Sequence, residues 1–204
     1  GVPQPSTFIW KNPGDLKKAF SEIPGQKWVR YIGTGAGATG ALPTQDYQLA
    51  ELWLNLHNGW GNFTVSETLT KSSVTWQSIW KDGELVIAQS RKRLSWELGN
   101  HMLSGVSGST GSAITISDKL VDTIAEKAIF AIDKQPNGIF SVDMTYDYNN
   151  VPNPTEINIA RFFTTHLFFT KAGLNMPYLY VKLAYKESIP EIAKKINPLP
   201  PGLL

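Results

Sequence analysis

The chain contains no cysteine, which excludes disulfides and thiolate catalysis and makes a reducing compartment such as the cytoplasm a natural setting. No apolar run approaches the ~20 residues needed to span a bilayer. No charged, apolar and small-residue succession marks a signal segment. Charge of one sign is not in excess either: the formal net charge is +2, so no strong field invites nucleic acid or an anionic membrane. Neither partner is expected. Histidine is scarce, and its three copies show no metal-ligand spacing, which argues against zinc. His57 reads as a helix-end cap beside Asn58-Gly59, and His166, inside an apolar run, as a buried hydrogen-bonded side chain. No Ser/His/Asp arrangement is apparent.

What is present is aromatic and alternating. Seven tryptophans could stack on sugars, but Trp28, Trp53, Trp76 and Trp80 fall on apolar faces of predicted elements and are expected in the core. A sugar-binding β protein is therefore the weaker reading, since three well-formed helices are also predicted. A strand near 6–10 precedes a helix opened by Asn12-Pro13 and stopped by Pro24-Gly25. A strand over 27–32 leads to a glycine-rich loop and a helix from about Gln45 to His57, striped by Leu49, Ala50, Trp53, Leu54 and Leu56. Lys27 is expected to be a solvated charge. A strand over 62–69 follows. Strands over 73–81 and 84–92 flank Asp82-Gly83, a tight-hairpin signal. Arg91-Lys92-Arg93 then closes a strand and reads as a solvated end, with phosphate contact as the alternative. The Gly- and Ser-rich stretch 98–112 reads either as a mobile loop able to fold over a site or as a disordered segment. A helix capped by Ser117 runs to Ile132, and the Pro-rich tail after Pro198 cannot be regular.

The most informative stretch is Phe140 to Arg161. Phe140, Val142 and Met144 alternate with Ser141, Asp143 and Thr145 up to the turn-forming Asp147-Tyr148-Asn149-Asn150. Thr155-Glu156-Ile157-Asn158 alternates again, so Glu156 and Asn158 share a face with Ile157 behind them. Two carboxylates and an amide on neighbouring strands are hard oxygen donors, suited to Mg²⁺ carrying nucleotide phosphates rather than to Zn²⁺. The plainer alternative is a solvated hairpin face.

With Arg161 three residues past Asn158, this stretch resembles the metal and phosphate strand of the ATP-grasp superfamily, close to the large-subunit type of carbamoyl-phosphate synthetase. The spacing between Asn and Arg is one residue shorter than usual there. The run Phe162 to Tyr185 looks like that family's closing helices. The fold implied is α+β: a small α/β lid over residues 1–69 and a larger antiparallel-sheet body, flanked by helices, over 70–204. The resemblance makes Asp143, Glu156 and Asn158 the metal ligands and Arg161 and Arg30 the catalytic cations. It puts the cofactor at Arg30, Gly35, Ala36, Gly37 and the Glu67-Thr68-Leu69 backbone. The small residues of the loop let backbone N–H groups approach phosphate, and an extended backbone offers a purine one donor and one acceptor in a plane. The loop is neither a P-loop nor a dinucleotide fingerprint. Where the family places a ribose-binding acid, this chain has Ser72, Ser73 and Val74.

The activity implied is that of a ligase using ATP and Mg²⁺ (or Mn²⁺) to activate an unidentified carboxylate as an acyl phosphate, which an amine or other nucleophile then attacks. A module that binds nucleotide without turnover is the alternative. Gly1-Val2-Pro3-Gln4-Pro5 resembles the start of such a lid, so a separate N-terminal domain in cis is expected as a partner.

Overall fold

The computed structural model describes residues 1–32 and 40–204. The chain divides into two compact units: residues 4–69 with 96–109, and residues 1–3, 70–95 and 110–204.

The first unit holds a four-stranded antiparallel sheet in the order β1 (Thr7–Ile9), β4 (Phe63–Glu67), β2 (Lys27–Tyr31), β3 (Leu42–Thr44). Helix α1 (Pro13–Glu22) starts where Asn12 Oδ1 accepts from the Asp15 amide at 3.1 Å, with Pro13 pre-set for the first turn. Helix α2 (Tyr47–Leu56) is capped by Asp46, which accepts from the Gln48 and Leu49 amides. Trp10, Leu16, Ala19 and Ile23 pack with Val29, Leu42, Ala50, Leu54, Phe63 and Val65 into one core. The stripe expected on α2 is narrower than its sequence suggests: Ala50 and Leu54 are buried, whereas Leu56 is 72% exposed. Only one ridge of the helix faces the core, and its flanking leucines stay in water. Lys27 is a second correction. It is 7% exposed, because its aliphatic stem crosses apolar surface, its amine donates to the Gly25 carbonyl at 2.7 Å, and the Phe20 ring lies 5.1 Å beneath it.

Residues 98–109 form the expected irregular stretch, but 110–112 are already strand. The base of this excursion is closed by Glu97 N–H donating to the Ser109 carbonyl at 2.9 Å. Gly99 is required there, since a Cβ would stand 2.7 Å from the Gly105 carbonyl oxygen.

The second unit is built on a five-stranded antiparallel sheet. Its order is β7 (Thr110–Ile116), β6 (Glu84–Trp96), β5 (Ser73–Lys81), β8 (Gly138–Tyr146), β9 (Pro152–Ile159). One face carries Val74, Trp76, Trp80, Ala88, Phe140, Val142 and Met144, covered by Val121, Ile124, Ala125, Ala128 and Ile129 of α3 (Lys119–Ile132). Asp118, not Ser117, caps α3, accepting from the Leu120 and Val121 amides. The opposite face is apolar only at one end, where Ile79 and Ile87 lie under Phe169 of α4 (Leu167–Lys171) and Met176 and Leu179 of α5 (Met176–Ala184). The Pro-rich tail is irregular, as expected, yet pinned. Ile196 bridges Ala88 of β6, and Thr115 of β7 exchanges backbone hydrogen bonds with Gly202 and Leu203.

Candidate functional site

The site residues lie on the second face of the five-stranded sheet, where a row of polar side chains crosses the strands. Registration aligns Arg91 of β6 with Thr75 of β5, Thr75 with Asp143 of β8, and Asp143 with Glu156 of β9. The neighbouring row runs Gln89, Gln77, Ser141, Asn158. Asp143 and Glu156 are thus direct cross-strand partners, and Asn158 stands one row away on the same face.

Local chemistry sets that alignment. The β8–β9 turn is tied by Asp147, whose Oδ1 accepts from the Asn149 and Val151 amides at 2.8 and 2.9 Å, while Asn150 supplies the left-handed conformation. A bulge then shifts the register between Asp143 and Met144, leaving Thr155 as the extra residue, whose hydroxyl donates to the Asp143 carbonyl at 3.2 Å. Such a bulge re-aims side chains beside a site. Pro152 and Pro154 are tolerated because β9 is an edge strand.

Hydrogen bonds join these groups into one network. Asp143 Oδ1 accepts from the Thr75 hydroxyl at 2.6 Å and from Arg93 at 3.3 Å, and its Oδ2 accepts from the Asn158 amide at 3.3 Å. Asn158 Oδ1 takes the Arg161 guanidinium, with Nε at 2.9 Å and Nη2 closer still. Arg161 also lies 3.9 Å from Glu156. Asp143, Glu156, Asn158 and Arg161 therefore converge.

The row's other end corrects the sequence reading. Arg91 and Arg93 are not a solvated strand end; Lys92 between them is exposed, whereas Arg91 is 2% exposed. Strand β6 continues to Trp96, and alternation turns both arginines onto the polar face, where Phe163 and Thr165 lie against Arg91. Arg91 donates to the Thr165 hydroxyl and to Thr110 at 3.2 Å, with the Phe163 ring 3.7 Å from its guanidinium carbon. Arg93 donates to Thr110 at 2.8 Å and Ser73 at 2.7 Å besides Asp143. Burial lowers the Arg91 pKa to about 9, the charge of Arg93 adds to that, and Asp143 opposes it. Arg93 is lowered by burial too, with Asp143 working the other way. The missed signal was parity: Gln89, Arg91 and Arg93 fall in step with Thr75 and Asp143.

Among the described residues, no three His, Cys, Asp or Glu side chains gather as a metal site. Asp143 and Glu156 offer carboxylate oxygens, which are hard donors, whereas the Asn158 amide faces Asp143 with its nitrogen and Arg161 with its oxygen. The carboxylate pair fits Mg²⁺ shared with phosphate oxygens, because Mg²⁺ commonly takes one or two protein carboxylates and draws its remaining ligands from water or substrate.

Arg30, Glu67, Thr68 and Leu69 lie in the first unit. Arg30 sits on β2 opposite Thr64, whose hydroxyl donates to the Arg30 carbonyl at 3.5 Å. Glu67 ends β4; its amide donates to the Ser6 carbonyl and its carboxylate accepts from the Ser6 amide at 3.3 Å. Thr68 has a buried hydroxyl without a hydrogen-bond partner among the described residues, and Leu69 is half-buried beside it. Gly35, Ala36 and Gly37 lie outside the described residues. Ser73, at the position expected for a ribose-binding acid, is buried against Arg93. His57 does cap α2, its Nδ1 2.8 Å from the Trp53 carbonyl, and His166 is half-buried with Nδ1 2.9 Å from the Phe163 carbonyl.

No family model and no curated protein matches this chain. Solved structures do. A biotin carboxylase–β,γ-ATP complex from Campylobacter jejuni superposes with a TM-score of 0.69 at 17% identity, over 94% of this chain and 44% of that one. An N5-carboxyaminoimidazole synthase from Aspergillus clavatus, in complex with ADP and 5-aminoimidazole ribonucleotide, gives 0.70 at 12% identity, over 97% and 51%. The ATP-grasp ligase PsnB, bound to a precursor variant, Mg and ADP, gives 0.63 at 15% identity, over 92% and 55%. This is the ATP-grasp fold. It is α+β, with helix-flanked antiparallel sheets, as the sequence resemblance implied. The chain spans about half the length of these ATP-grasp structures.

Proposed function

We propose that this chain is the nucleotide-binding part of an ATP- and Mg²⁺-dependent ligase that activates a carboxylate as an acyl phosphate. Its division into a lid over 1–69 and a body over 70–204, and a cytoplasmic setting, belong to the same reading. Among the described residues, no helix is long and apolar enough to cross a membrane. The observation that carries the proposal is the direct pairing of Asp143 with Glu156, with Asn158 and Arg161 hydrogen-bonded beside them, on the polar face of an ATP-grasp sheet.

Asp143, Glu156 and Asn158 would hold Mg²⁺ (or Mn²⁺), which supplies neutralising charge for the triphosphate. Arg161 and Arg30 would bind phosphate oxygens, together with Gly35, Ala36 and Gly37. The Glu67-Thr68-Leu69 backbone is assigned to adenine. A substrate carboxylate oxygen attacks the γ-phosphorus, the bond to the bridging oxygen breaks, and ADP leaves. A nucleophile such as an amine then attacks the acyl carbon, gives up a proton and expels phosphate. Positioning and electrostatics supply the rate enhancement, so no side-chain nucleophile is needed. An acceptor chemistry like that of the large subunit of carbamoyl-phosphate synthetase is the finer form of this proposal.

Calorimetric titration with ATP, with and without Mg²⁺, tests it. Tight binding that requires Mg²⁺ in the wild type, and loss of most of that requirement in Glu156→Gln with an unchanged melting temperature, is the expected result. Equal Mg²⁺-dependent affinity in the variant rejects the metal assignment. A second reading, nucleotide binding without turnover, is favoured by one observation. Ser73, where a ribose-binding acid is expected, is occupied by Arg93. ADP release measured against a panel of carboxylates separates the two.

A further inference from the structure

Between Ile159 and Leu167 the chain has no regular structure to hold it, yet it carries Arg161. Ala160 turns it with a φ of 63°, a left-handed conformation that a non-glycine residue adopts only when its surroundings enforce it. Two side chains from the sheet grip the segment beyond this turn. Gln77, 0% exposed, accepts from the Phe163 amide at 3.0 Å through Oε1. Arg91 donates to the Thr165 hydroxyl and lies 3.7 Å from the centre of the Phe163 ring.

These grips are unfavourable choices for stability alone. Arg91 is buried; among the described residues its guanidinium bonds to two neutral hydroxyls and to no carboxylate, and its Nε–H has no partner. Of the nearby carboxylates, Asp143 bonds to Arg93 instead, and Glu156 lies next to Arg161. A buried charge held this way is commonly matched or bettered by an apolar side chain of similar volume. What an apolar side chain cannot do is fix a loop by a planar fork and a stacked ring.

We propose that Arg91, assisted by Gln77, is a positioning residue: it fixes the Phe162–His166 segment so that Arg161 stays over the Asp143–Glu156–Asn158 cluster. It acts through Arg161 and touches neither nucleotide nor metal. The role assigned to Arg161 rests on the function proposed above; the fixing of the segment does not.

The test uses Arg91→Met and Thr165→Val, the second removing the same contact from the loop side without altering the sheet. Amide hydrogen exchange of residues 162–167 is expected to speed up at least 10-fold in both variants, with β5 and β8 amides unchanged. The melting temperature is expected to hold or rise in Arg91→Met. Mg²⁺-ATP affinity is expected to fall about 10-fold in Arg91→Met and in Arg161→Met, and no further in the double variant, the signature of one residue working through another. Unchanged exchange over 162–167 in both variants overturns the proposal. So does faster exchange throughout the sheet with a lowered melting temperature, which marks a merely structural strut, or an additive loss of affinity in the double variant. Should the wild type fail to bind Mg²⁺-ATP, the function proposed above falls, and the exchange experiment still decides the positioning.

Discussion

The two faces of the five-stranded sheet are made by alternate residues of the same strands, and they have opposite composition. Val142 and Asp143 are neighbours in β8. One is 0% exposed against α3, and the other lies in a hydrogen-bonded polar row. The apolar face packs where one helix, α3, covers it. The polar face is graded: isoleucines under α4 and α5, then buried glutamines, then arginine and carboxylate toward the open edge. A strand period of two cannot produce such a gradient; it arises from what covers each row. Cover by α3 selects for packing, and graded cover leaves room for chemistry.

The contrast is broken most severely by exchanging characters across β8. Val142→Asp puts an unpaired carboxylate into the α3 interface and should cost ~4 kcal/mol or more, read as failure to fold or as a collapsed denaturation midpoint. Asp143→Asn, one residue along, should fold. Its Mg²⁺-dependent ATP affinity should drop at least 10-fold by calorimetry, and an unchanged affinity would mean the row is structural.

A smaller effect is expected where the apolar face admits a charge. Asp122 of α3 accepts from Trp76 at 2.9 Å, from Ser90 at 3.3 Å and from Asn197 at 2.9 and 3.0 Å. Burial raises its pKa above the ordinary carboxylate value, and hydrogen bonds from Asn197, Trp76 and Ser90 pull it partly back. Because the folded-state value is the higher one, this group costs stability while ionised, and the cost is relieved as pH falls through that value. Asp122→Asn should lose about 1–2 kcal/mol at pH 7 through the broken Asn197 contact. Thermal melts should show the wild type's advantage over the variant widening on acidification toward pH 4; a narrowing gap refutes the sign. The smallest change is Tyr146→Phe, at the rim of the same face. The Tyr146 hydroxyl donates to Asp118 Oδ2 at 3.2 Å, and burial next to that carboxylate raises its pKa. Denaturant titration should find a loss of about 0.5–1.5 kcal/mol.

Alternation made the carboxylate pair legible, since Asp143 and Glu156 had to face one way once β8 and β9 paired. Helix starts were readable from Asn12 and, within a residue, from the polar stretch around Asp118. Arg91 and Lys27 were misread for one reason: a charge in a strand is assumed to be wet. Whether it is depends on distant residues, Phe163 and Thr165 for Arg91 and Phe20 for Lys27, and no local pattern encodes that cover. The bulge at Thr155 was hidden for a similar cause, because an extra residue shows only against its partner strand. Leu49 and Leu56 of α2 failed in the opposite direction, being apolar in sequence and exposed to water.

The tail's bridge to Ala88 lies on the flank of β6 along which β7 runs. Unpaired main-chain donors and acceptors on that flank would recruit a strand from another molecule. Residues 195–197 occupy the main-chain groups of Ala88 and residues 202–203 those of Thr115, so at these two positions no donor or acceptor is left for a strand from another molecule.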